Sequence, residues 1–294
     1  MAVARTATEG RDRTASIQRV FLGLLAANLA VVGAKVVIGL SAGSLSVLSD
    51  GVHSSVDAFN NIVFAVLMRY AGAAADANHP YGHGKFEVLG ALGIVIFLAI
   101  ASFELLTSAV GRLAAGGPPP ALTVADLWVL AATLGINIAV AWFEARKGRE
   151  YGSDLLLADA AHTRADVMIT SGVIVGGILS RAHVKHVDAL VTLAIVLFIG
   201  RVAWQILRRC VPILVDQAAQ EPDAVRLTAE GVAGVEAATD IRSRLAAGVA
   251  FAELTIKVQG RLAVDEAHQI ADAVERRLKE DLKLDRVVVH VEPS

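Results

Sequence analysis

Apolar residues along the 294-residue chain gather into six blocks, roughly 17–39, 45–68, 87–111, 123–144, 155–180 and 187–207. Each is long enough to cross about 30 Å of hydrocarbon as a helix. The breaks between them read as turns: "LSAGS", "NHPYGHG", "AGGPPP", "RKGREYGS" and "SRAHVKH". A six-helix transmembrane domain is therefore predicted over residues 1–209, its second and fifth helices the least apolar. From about position 210 the pattern changes. "EPDAVRLTAEGV" reads as a short helix, and "VEAATDIRSRLA" and "VAFAELTIKVQ" as two strands about the turn "AAG". "AVDEAHQIADAVERRLKEDL" puts Ala267, Ile270, Ala271, Val274 and Leu278 on one helical face, and "DRVVVHVEP" is a final strand. The order α-β-β-α-β over 210–294 predicts a small two-layer α+β domain with one modest core.

Composition sharpens this picture. The chain is 55% hydrophobic with a mean hydropathy of +0.57, where a soluble domain has about 45–50% apolar residues. The excess fills the first two thirds. A formal charge of −2 gives no reason to invoke nucleic acid, and a single cysteine, Cys210, allows neither an internal disulfide nor a cysteine zinc site. The polar N-terminus carries no pattern of a removable signal peptide. With the N-terminus inside, the inner segments hold Arg5, Arg11, Arg13, Arg19, Arg69, Lys85, Arg146, Lys147, Arg149, Arg208 and Arg209, and the outer loops only Arg112, Arg181 and Lys185. Both termini are expected to be cytoplasmic.

Chemistry concentrates in a repeat. "SDGVHSSVD" in the second block and "ADAAHTRAD" in the fifth share the order Asp, two residues, His, Ser or Thr, two residues, Asp. Residues four apart share a helix face, so His53 with Asp57, and His162 with Asp166, project together. If the two helices face each other, two imidazoles and two carboxylates converge, a set suited to tetrahedral Zn²⁺. A lone polar residue in a membrane helix is more often interhelical glue. A doubled, in-register set of ionisable groups at that depth points instead to an ion pathway. Asp50 and Asp159, one turn earlier, read either as supports for the histidines or as residues near a mouth. Asn28, Lys35, Glu104 and Asn137 read as packing or pore-lining groups. Glu144 reads as a helix-end residue that caps or snorkels, and His183 and His186 as solvated. Gly172, Gly176 and Gly177 allow close helix approach in the fifth span.

The loop "DANHPYGHGKFE" holds Asp76, His79 and His83, which fit either a second metal site or a solvated polar loop. In the tail, His290 and Glu292 are two apart on a strand and share a face. His268 lies on an exposed helix face.

"GSLSVLSDGVHSSVDAFNN" with "ADAAHTRADVMITSGV" resembles the cation diffusion facilitators, and the resemblance covers nearly the whole chain. It implies export of divalent metals by proton antiport, a homodimer, and tails with a metallochaperone-like, ferredoxin-like α+β fold. It implies a transport site at His53, Asp57, His162 and Asp166. Histidine at both imidazole positions goes with zinc preference, and Cd²⁺, Co²⁺ and Fe²⁺ also accept such a set. It further implies a regulatory zinc at Asp76, His79 and His83, and a charge pair of Lys85 with Asp216 at the dimer junction. Tail ions bridge protomers in the resemblance, but Thr239 and Thr255 stand where some relatives have histidine. A binuclear tail site is therefore not expected, leaving His290, Glu292 and His268 as candidates for a weaker one.

Two rival readings are weighed. An intramembrane metalloenzyme would need HExxH, which is absent, or more clustered histidines than the scattered eight provide, so no enzyme is expected. A membrane sensor or scaffold that binds metal without moving it would need no site at bilayer depth.

Overall fold

The computed structural model describes residues 7–42, 45–115, 124–181, 187–246 and 248–294. Its contacts divide the chain into two compact units, Arg13–Cys210 and a second centred on Val211–Ser294.

The first unit is built from long helices: α1 (Ala7–Ala42), α2 (Leu45–Ala71), α3 (Lys85–Ala115), α4 (Val124–Tyr151), α5 (Asp154–Arg181) and α6 (Val187–Leu214). Four contain stretches long and apolar enough to cross a membrane: Asp12–Val37, Lys85–Thr107, Trp128–Tyr151 and Leu190–Leu214. Among the described residues α2 and α5 are not in that set, because the motif residues lower their hydropathy. Six spans were expected, and length and composition support four of them among the described residues. α5 runs along α4 and also meets α3, and α2 packs on α3. Ile17, Phe21, Met68, Ile94, Leu98, Leu155, Leu156 and Ile199 form the buried interior, while Leu29, Ile96, Phe103, Trp128 and Leu197 face outward. An apolar exterior of this kind suits acyl chains.

Two boundaries differ from the sequence reading. α1 begins well before the apolar block at 17, and α4 continues through "RKGREY", expected to be a break. A helix persists there because its charges pair along its own surface: Lys147 lies 2.9 Å from Glu150, and Arg146 covers the Trp142 ring at 5.5 Å. The chain turns only at Gly152, whose φ of 59° suits glycine. Ser153 follows and caps α5, its hydroxyl accepting the amide of Leu156 at 3.2 Å.

At this end of the unit, the loop end, one side chain joins three helices and the α4–α5 turn. Arg13 of α1 donates to both oxygens of Glu87 of α3 at 3.0 and 3.2 Å, and to the carbonyls of Tyr151 and Gly152 at 2.7 Å each. Ser153 donates to Glu87 at 2.6 Å. Glu87 is buried, so the bidentate guanidinium and the hydroxyl are what make its charge tolerable there. Gly172 of α5 sits where a Cβ would overlap Ile195 of α6. Close approach at Gly172 therefore matches its expected role, while the side-chain environment of Gly176 and Gly177 lies outside the described residues.

The second unit holds α7 (Pro222–Glu230), β1 (Ala237–Ala246), β2 (Val249–Val258), α8 (Val264–Leu282) and β3 (Arg286–Pro293), in the expected order. The sheet runs β1-β2-β3, antiparallel between β1 and β2 and parallel between β2 and β3. A bulge separates Thr239 from Arg242. Ala271, Val274 and Leu278 of α8 are buried against Leu254, Ile256 and Val258 of β2, with Ala267 and Ile270 partly buried beside them. β3 alternates cleanly: Val287, Val289 and Val291 face the core, and Val288, His290 and Glu292 are exposed.

Candidate metal centre

Asp57 lies near the middle of α2, and His162 and Asp166 one turn apart on α5. Their ligand atoms all lie within 4.8 Å of one another. His162 Nε2 is 3.9 Å from Asp57 Oδ1 and 3.8 Å from Asp166 Oδ2. Two oxygens and a nitrogen so placed are spaced to share one cation rather than to hydrogen-bond directly. The three side chains are half-buried, and His162 Nδ1 is buried without a hydrogen-bond partner. His53 lies on α2 one turn before Asp57, and Asp50 a turn before that; their side chains lie outside the described residues, as do His183 and His186.

Two cavities border this cluster. One of about 380 Å³ runs from Asp57 and Asp166 toward the end opposite the loop end, lined by Asn28, Lys35, Glu104 and Asn137 among others. Lys35 is buried there and donates to Ser54 at 2.8 Å, tying α1 to α2. The other, about 30 Å³, lies on the loop-end side, lined by Asn60, Asn61, Glu144, Asp159 and His162. It has room for about one water. Asn28, Lys35, Glu104 and Asn137 thus line cavities.

Glu144 corrects the sequence reading. It is 2% exposed and neither caps nor snorkels. Thr163 of α5 donates to it at 3.0 Å, and its carboxyl meets that of Asp159, which is also buried. The charged run "EARKGRE" hid this, because it made the residue look like part of a solvated helix end. Asp159 is accordingly a deep residue and not one at a mouth.

A second cluster is local. The α2–α3 loop, residues 72–84, brings Asp76, His79 and His83 together, their ligand atoms also within 4.8 Å. Asp76 accepts the backbone amides of His79 at 2.6 Å and Asn78 at 2.9 Å. The His79 amide is the main reason the Asp76 carboxyl is held below its ordinary range. His79 Nδ1 is 3.2 Å from one Asp76 oxygen and His83 Nε2 3.4 Å from the other. His83 Nδ1 donates to the Ala74 carbonyl at 3.0 Å, which orients the ring with Nε2 toward Asp76. His83 is buried and Asp76 and His79 are exposed.

In the tail, His290 Nε2 lies 3.6 Å from Glu292 and His268 Nε2 3.8 Å from Asp272, all four exposed. Neither pair gains a third ligand among the described residues. Thr255 pairs in register with both Thr239 and His290. Within the tail, Asp216 lies 3.5 Å from Arg244.

A membrane-spanning helical unit with acids and an imidazole gathered between two helices, followed by a small α+β domain, defines a class of ion carriers. Residues 22–215 match the cation efflux transmembrane domain, and residues 219–294 match the cation efflux protein cytoplasmic domain, a dimerisation domain. The chain belongs to the cation efflux, or cation diffusion facilitator, family and is a transporter rather than an enzyme. It is similar to the manganese efflux system protein MneS of Bacillus subtilis, at 27% identity over 92% of this chain and 93% of that one. It is similar to the cation-efflux pump FieF of Shewanella oneidensis, at 28% over 92% and 91%. It also resembles metal tolerance protein C1 of Arabidopsis thaliana, at 29% over 94% of this chain and 62% of that one. A solved MamM-CTD chain aligns with 24% of this chain and 92% of its own length, at 25% identity and a TM-score of 0.23.

Proposed function

We propose that the chain exports Zn²⁺ across the membrane in exchange for protons, using His53, Asp57, His162 and Asp166 as transport ligands. The observation that carries this reading is the convergence of Asp57, His162 and Asp166 from separate helices. These groups bind metal only when deprotonated, so protons and metal compete for the same atoms. Protons admitted from the far side would release the ion. Manganese efflux is the activity of the Bacillus relative, but Mn²⁺ favours oxygen ligands. Two imidazoles beside two carboxylates favour zinc, with Cd²⁺, Co²⁺ and Fe²⁺ as further cargo.

All six long helices cross the bilayer in this reading, with both termini cytoplasmic. The larger cavity beyond Asp57 and Asp166 supports a state in which the site faces the end opposite the loop. Two chains associate through their tails. Asp76, His79 and His83 hold a regulatory zinc, and His290 with Glu292 a weaker tail ion, His268 remaining outside it. Lys85 and Asp216 are the charge pair of the dimer junction that the family resemblance implies.

The test is metal and proton flux in proteoliposomes over Zn²⁺, Cd²⁺, Co²⁺, Fe²⁺ and Mn²⁺. Zinc movement coupled to opposing proton movement is expected. Zinc binding with no movement would make the protein a sensor, and faster Mn²⁺ than Zn²⁺ flux would overturn the cargo assignment.

A further inference from the structure

A cavity of about 520 Å³ lies between α4, α5 and α6, lined on the α5 side by Ala160, Ala161 and Arg164. It is separate from the cavities that border the transport cluster. Small residues on α4 and α5 leave it hollow, and its volume falls within the roughly 300–1,000 Å³ typical of ligand sites. Its charge is one-sided. Arg149, Arg164 and Arg209 line it, against Asp154 as the one carboxylate. Arg209 Nε is 3.3 Å from Asp154. Arg149 and Arg164 are exposed, and among the described residues neither has a carboxylate partner.

Arg164 is the informative residue. It sits ten positions into α5 from Asp154, about 15 Å along the axis at the usual helical rise. A guanidinium at that depth in a membrane helix is costly unless an anion meets it. Basic cavities between membrane helices, close to one interface, suit phosphate-bearing headgroups.

We infer that this cavity binds the headgroup of an anionic phospholipid, held by Arg149, Arg164 and Arg209. Its acyl chains follow the apolar outer face of α6, where Leu197 is exposed. A free phosphate shares the chemistry. The cavity belongs to the helical unit, however, and on the six-span reading proposed above, on which this inference rests, Arg164 lies within a span, so the lipid is the occupant. The site does not depend on which cation the protein carries.

The test uses the full chain reconstituted in equal phosphatidylglycerol and phosphatidylcholine, with retained lipid read by native mass spectrometry. The wild type is expected to keep phosphatidylglycerol selectively. Arg164→Gln should lower that preference about five-fold, the effect of one basic group near a charged headgroup. R149Q/R164Q/R209Q should abolish it, and Arg164→Lys should retain it. Equal retention of both lipids by the wild type overturns the proposal, as does an undiminished preference in the triple variant with unchanged circular dichroism. Displacement of phosphatidylglycerol by millimolar inorganic phosphate would overturn the lipid assignment in favour of a free anion.

Discussion

Asp76, His79 and His83 come from eight consecutive positions of one loop, whereas Asp57 and the His162–Asp166 pair stand more than a hundred residues apart in sequence. Both clusters bring ligand atoms within 4.8 Å. The loop cluster owes its shape to backbone hydrogen bonds inside the loop, from the His79 and Asn78 amides to Asp76 and from His83 to the Ala74 carbonyl. The helical cluster has no such local support and exists only while α2 and α5 hold their places. An ion held in the loop would be a fixture. An ion held between the helices would be let go when the helices part, which is what a carrier needs.

The comparison breaks most directly at Asp57. Asp57→Ala removes the α2 contribution to the described cluster. Zinc flux in proteoliposomes is expected to fall by more than the about 10–100-fold usual for losing a mere supporting group; wild-type flux would sink the transport site. Next in size is the Arg13 junction. Arg13→Met strands the buried Glu87 and should cost about 3 kcal/mol, read as a lowered thermal midpoint in detergent. It should also weaken zinc binding at the helical cluster more than at the loop, since only the former relies on helix placement; equal weakening would erase the distinction. His83→Ala should reduce loop zinc affinity about 10–100-fold by calorimetry while leaving flux largely intact.

The smallest effect concerns acid. The Asp76 carboxyl is held below the ordinary aspartate range, chiefly by the His79 amide. A depressed folded-state pKa contributes order that is present above the ordinary aspartate range and lost as pH falls through the lowered value. Hydrogen exchange at the His79 amide should therefore stay protected as pH drops to about the ordinary aspartate value, and Asp76→Asn should remove that protection's pH dependence. Loss of protection well above pH ~4 would contradict the loop geometry.

Much of this was legible beforehand where the signal is periodic. The alternation of Val287, Val289 and Val291 with exposed partners wrote β3 plainly, and the α8 face was readable from Ala271, Val274 and Leu278. The duplicated Asp-His-Asp spacing announced that α2 and α5 would share something, and Asp57, His162 and Asp166 do converge. Arg13 with Glu87 could not be read, because a pair 74 residues apart leaves no periodic trace. Glu144 was misread for a related reason: helix ends and buried acids look alike when the next residues are charged. Its signal was Thr163 and Asp159 on the facing helix, which only the α4–α5 packing reveals.

Only Gly152 and Ser153 separate α4 from α5, and both are bound into the Arg13–Glu87 junction. So short a joint leaves the two helices little freedom to swing apart, and they travel as one lever. His162 and Asp166 therefore stay in step with Glu144, while Asp57 sits on α2, which joins α3 through the thirteen-residue loop that holds Asp76, His79 and His83. On the proposed transport reading, a stroke that opens the cluster would move the α4–α5 hairpin relative to α2, with Glu144 keeping step with His162.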